Sequence, residues 1–170
     1  MKGISMIDSM LNELRQETAT TKRVLERVPE EKLSWRPHPK SMSLGQLSLH
    51  VASIPGNLVG LAQLEEFDAS QANFTQREAS SVNEILTVLD SSVKAAEDYF
   101  SGLDDKTATG NWRLTMGEKE VFTIPRISML RSIMLNHWYH HRGQLAVYLR
   151  LLEVPVPVIY GRSADENPFA

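Results

Sequence analysis

Four stretches of this chain carry an apolar side chain every third or fourth residue, and prolines and polar runs separate them. Such spacing draws one apolar stripe along each of four amphipathic helices, and the stripes must be buried against one another. The first stretch covers residues 4–28, with Ile4, Ile7, Leu11, Leu14, Leu25 and Val28 on one side. Thr18 and Thr21 share that stripe, where their hydroxyls either line a polar cavity or bond back to helix carbonyls. Pro29 opens a turn, and Pro37 and Pro39 force an extended connection. Ser43 with Gln46 has capping-box spacing and starts a second helix, expected to reach about Phe67 and to kink at Pro55 and Gly56. Ser81 with Glu84 starts a third helix by the same signal. Pro125 suits the first turn of a fourth, which runs to about Glu153. Before it, NWRLT and EVFTI flank MGEK as a small hairpin or a pair of extended segments. The tail VPVPVIYGRSADENPFA is too proline-rich for a helix and is expected to pack across the others. The expected fold class is all-α: a four-helix bundle with a small extended or hairpin segment before the last helix, as one domain over residues 1–170.

Composition narrows the chemistry. With 18 basic and 21 acidic residues, the net charge of -3 gives no support to nucleic-acid binding. Cysteine is absent, which excludes disulfides, cysteine nucleophiles and thiolate metal sites. No apolar run approaches a membrane span, and the N-terminus lacks the apolar block of a signal peptide, so a cytoplasmic protein is expected. A chain of 170 residues buries a substantial core without a structural metal, so a metal here would serve function.

The fourth helix holds the informative pattern. Stepping about 100° per residue from His137 puts Arg126, Leu130, Ile133, Met134, His141, Gln144, Tyr148 and Leu152 within about 60° of it. His137 and His141 therefore read as one turn apart on the core-facing stripe, the H-x-x-x-H spacing that lets two imidazoles share an ion. On the second helix, His50 shares its face with Leu47, Ile54, Leu61 and Leu64 and also points inward. Three converging imidazoles can each be satisfied by one divalent cation, and a neutral nitrogen set suits zinc, nickel, copper or iron. The competing reading is a hydrogen-bonded histidine cluster, since periodicity shows direction and not meeting. His140 lies about 60° off the stripe and could replace one of the pair, while His38 belongs to the proline-rich connection. Trp35, Trp112 and Trp138 read as packing.

NHWYHHRGQLAVYLR, with SMSLGQLSLHVA and WRPHPKSMSLGQLSLH upstream and VPVPVIYGRSADE downstream, resembles the DinB/YfiT-like metalloprotein family of bacteria. The resemblance runs along essentially the whole chain. It implies an up-down-down-up four-helix bundle, a metal held by His50, His137 and His141, and a homodimer formed through helix faces. Zinc or nickel is the implied metal, with iron or manganese as alternatives. Related members transfer low-molecular-weight thiols to electrophiles, isomerise maleylpyruvate with thiol assistance, or have no known activity. The leading expectation is thus a metal-dependent thiol S-transferase acting on a small molecule, the ion lowering the pKa of a coordinated thiol or water. Gln144, Tyr148 and Arg142 are the candidate cofactor-binding residues, with Thr18, Thr21 and Tyr160 as further pocket or rim positions. Metal-assisted hydrolysis is the second reading and needs a base, for which only loop acids such as Glu118 or Asp165 are at hand. A non-enzymatic metal-dependent stress-response or binding module is the third.

Overall fold

The computed structural model describes residues 5–73 and 75–169. The fold is mostly helical, with a small three-stranded sheet at one end. Helix α1 spans Met6–Leu25 and α2 spans Leu44–Ala62, with a 3-10 turn at Glu30–Lys32 between them. Strand β1 (Glu66–Asp68) and a second 3-10 turn (Ala69–Gln71) lead to α3, Val82–Gly102. The short α4 (Asp105–Thr109) precedes β2 (Asn111–Met116) and β3 (Lys119–Pro125). The last helical stretch comes in three pieces: α5 (Arg126–Met129), a π-helical segment (Leu130–Leu135) and α6 (Asn136–Leu151). Helix α2 packs against α3 and α6, and α1 packs against the same two. No helix among the described residues is long and apolar enough to cross a membrane.

Helices α1, α2 and α3 each start where a capping signal sits. Ser43 Oγ accepts from Gln46 N–H and the Gln46 side chain accepts from Ser43 N–H, which closes both halves of the box on α2. At α3, Ser81 Oγ accepts from Glu84 N–H, but the Glu84 carboxylate turns to the Ser80 N–H and hydroxyl instead. Helix α1 carries a box the sequence reading passed over, Ser5 with Asp8. Ile4, expected to begin that helix, lies outside the described residues.

Two expectations for α2 are corrected or refined. The helix stops at Ala62, short of Phe67, because distant side chains take its last carbonyls. Trp112 Nε1 donates to Leu61 O at 3.1 Å, and Ala62 O accepts from both Tyr99 OH (3.2 Å) and Arg126 Nε (2.6 Å). Phe67 instead belongs to β1, which pairs in parallel with β2, itself the first strand of an antiparallel hairpin with β3. Gly117, at φ +61°, turns that hairpin at a backbone angle few other residues adopt. At Pro55 the helix remains unbroken. Proline cannot donate to Val51 O, and Trp138 Nε1 from α6 does so at 2.9 Å. The next N–H, of Gly56, donates to Ser92 Oγ of α3 at 2.7 Å, and a Cβ on Gly56 would lie 3.0 Å from Ser92 Cα. The Pro55–Gly56 pair thus fastens α2 to both its neighbours.

The π-helical segment overturns part of the phase argument. A straight helix would carry His137 and His141 inward with Leu130 and Met134. With the wider turn inserted, the fully buried stripe of α6 is Trp138, Arg142, Leu145 and Leu149. His137, His141 and Tyr148 lie roughly a quarter turn away, half-buried on the shoulder facing α2.

Candidate metal centre

His50 stands on α2 and His137 and His141 stand one turn apart on α6, and the three side chains meet. One ring nitrogen from each lies within 4.8 Å of the others. The closest pair is His50 Nε2 and His137 Nε2, 3.0 Å apart. The ring centroids are 5.2 Å (His50–His137), 4.6 Å (His50–His141) and 4.4 Å (His137–His141) apart, all edge-to-face.

Burial pushes all three rings towards the neutral form. Burial, and then the neighbouring imidazoles of His141 and His137, lower His50 to about 4 from its ordinary 6.5. Burial lowers His137 and His141 for the same reason, with the Gln144 hydrogen bond working in the opposite direction at His141. Neutral imidazole is the form that offers a lone pair to a metal. His50 Nε2 and His137 Nε2 lie at hydrogen-bonding distance, and an ion between them could take a lone pair from each instead. Two metal–nitrogen bonds of about 2.0–2.1 Å reach across that separation. The donor set therefore fits a transition-metal ion and does not fit calcium or magnesium, which take oxygen ligands.

The site is held from both sides. The Trp138–Val51 hydrogen bond lies next in sequence to both members of the His137–His50 pair, so α6 is pinned to α2 at the level of the histidines. Beyond His141, Gln144 Oε1 faces His141 Nδ1 at 2.7 Å. Gln144 is thus exposed and aligned with a ligand candidate, where the sequence suggested only a pocket wall. Tyr148, one turn further, donates its hydroxyl to Met42 O at 3.2 Å and meets Trp35 edge-on at 5.6 Å. Together they form the flank towards the start of α2.

Other expected positions fall elsewhere. Arg142, a candidate cofactor-binding residue from the sequence, is buried at 1% exposure. It pairs with Glu17 Oε2 at 2.6 Å, donates to Thr21 Oγ1 at 3.1 Å and to the Tyr160 hydroxyl, and lies over both the Tyr139 and Tyr160 rings. With Trp138, Leu145 and Leu149 it makes up the fully buried stripe of α6. Thr18 bonds back to Leu14 O at 2.7 Å, the commoner of its two alternatives. His140 is exposed beside His141 and outside the triad, and His38 is exposed in its loop. Asp165 is engaged by Arg150 and by the Val156 N–H. Glu118 sits at the hairpin tip, beyond the far end of α2.

A family model described as the DinB family matches residues 4–167. Among solved structures, a DinB-like protein from Bacillus cereus is 23% identical, with a TM-score of 0.67 over 88% of this chain and 95% of that one. A DinB-like protein from Bacillus subtilis, YjoA, is 15% identical, with a TM-score of 0.69 over 91% of this chain and 99% of that one. At these identities the likeness is one of fold. No curated protein is significantly similar to the chain.

Proposed function

The chain belongs to the DinB family, and from that premise we propose that it is a divalent-metal protein whose ion is held by His50, His137 and His141. The observation that carries this reading is the meeting of three neutral imidazoles from two helices at one point. Zinc or nickel suits the all-nitrogen donor set best. The helix pairings (α1 with α3 and α6, α2 with the same two) support an up-down-down-up four-helix bundle as the frame.

We further read the site as catalytic, of the low-molecular-weight-thiol S-transferase type. Three protein ligands leave a position free, and an ion there lowers the pKa of a coordinated thiol. The chain's own residues hold and shape the site. His50, His137 and His141 supply the lone pairs, the Trp138–Val51 bond fixes their spacing, and Tyr148 with Trp35 bounds one side of the approach. The thiol would come from outside, since the chain has no cysteine. Hydrolysis is the weaker reading because it wants a carboxylate beside the ion. Asp165 is committed to Arg150, and Glu118 lies at the other end of α2.

Metal content by inductively coupled plasma mass spectrometry, on untagged protein purified without added metal, tests the first step. About one transition-metal ion per chain is expected, with loss in folded His50→Ala, His137→Ala and His141→Ala variants. Full retention in any of the three removes that residue from the ligand set. For the second step, a cobalt-loaded sample should change its visible spectrum on adding a small thiol. An unchanged spectrum across several thiols would remove the transferase reading while leaving the metal site standing.

A further inference from the structure

Resting on the metal reading above, we infer that Gln144 is a positioning residue that sets which nitrogen His141 presents to the ion. Neutral imidazole carries one proton, on either Nδ1 or Nε2, and only the other nitrogen can ligate. Gln144 Oε1 lies 2.7 Å from His141 Nδ1, three residues away along α6. An amide oxygen only accepts, so the proton belongs on Nδ1, which donates to it. That leaves the Nε2 lone pair of His141 free for the ion, with the ring one edge-to-face step from both His50 and His137. Ligating histidines generally donate their second nitrogen to such a partner, and losing it typically weakens metal binding about 10–100-fold.

The partner is usually a carboxylate or a backbone carbonyl. Here it is a neutral amide on an exposed face of the helix. It fixes the tautomer without adding charge to the site. Among the described residues its side chain has no other hydrogen-bond partner, so its effect on the ring is direct and separable from the packing of the core.

The test compares the intact protein with Gln144→Leu and Gln144→Glu, and uses zinc as the probe. Competition with a chromogenic chelator gives the zinc Kd. Long-range proton–nitrogen correlation spectra of the metal-free protein give the tautomer of His141. Gln144→Leu keeps a side chain of similar bulk but has no acceptor; it should weaken zinc binding about 10–100-fold and lower the Nδ1–H population of His141. Gln144→Glu keeps an acceptor at the same reach and should bind zinc at least as tightly as the parent. A Gln144→Leu protein with parental zinc affinity and an unchanged His141 tautomer overturns the assignment. If the parent protein takes up none of zinc, nickel and iron, the metal reading fails. The His141 tautomer in the metal-free variants then decides the role of Gln144 alone: a shift upholds it and no shift overturns it.

Discussion

Arg142 shows how far a single side chain can depart from what its neighbours in sequence suggest. A guanidinium is almost never fully buried unless paired, and its partners here come from α1 and the tail: Glu17, Thr21 and Tyr160. No local pattern announces a pairing across 125 residues of chain, the span between Arg142 and Glu17. The pair also decides what a mutation does. Glu17→Ala leaves a charge in the core with its main counter-charge gone and should destabilise by about 3–5 kcal/mol. Arg142→Met removes the charge and keeps the bulk, so it should be milder. Urea unfolding of both variants checks the order; a Glu17→Ala protein within about 1 kcal/mol of the parent would mean that water reaches the guanidinium. The histidines, by contrast, were legible at this scale as residue types and spacing. Their meeting was not, because it depends on how two helices are set against each other.

Elements were legible where their signals are local. Ser43 with Gln46 and Ser81 with Glu84 mark true helix starts, and the hairpin falls where alternation and a glycine place it. The end of α2 was not legible, since Trp112, Tyr99 and Arg126 terminate it from a distance. Nor was the π-helical turn, which leaves the apolar composition untouched while rotating every later side chain. The Trp138–Val51 bond lends itself to a double-mutant cycle. Trp138→Phe leaves Val51 O without its donor and should cost about 1–3 kcal/mol from that loss, apart from the change in volume. Pro55→Ala restores the helix N–H that Val51 O lacks. In that background Trp138→Phe should therefore cost about 1 kcal/mol less, by chemical denaturation. Equal costs in both backgrounds would show that the tryptophan acts through packing alone.

For the whole molecule, the helices, the sheet and the tail hold one another at several separated points. Arg23 donates to Val158 O, Arg27 pairs with Glu166, and Arg150 pairs with Asp165, so α1 and α6 both grip the chain after residue 154. The tail was expected to pack across the helices, and it does so through these arginines together with Val156 and Ile159. Because the triad bridges α2 and α6, an ion bound there should stabilise the fold as a unit. Zinc at about 100 times its Kd should add about 2.7 kcal/mol and raise Tm by roughly 5–10 °C. The rise should vanish in His137→Ala. A parent Tm that ignores zinc, nickel and iron alike would leave the histidines as a hydrogen-bonded cluster.

The distance along the chain between the members of the triad has a consequence for how the protein is made. His50 and His137 are 87 residues apart, and α3 and the hairpin are laid down between them. A growing polypeptide that has emerged only through α2 and α3 holds a single one of the three imidazoles. It can gain no more than a passing attachment to metal in the cell. If the triad holds an ion as proposed, no metal could tie α2 to α6 while α3 and the hairpin are still being laid down; that tie would have to wait for α6 to be made.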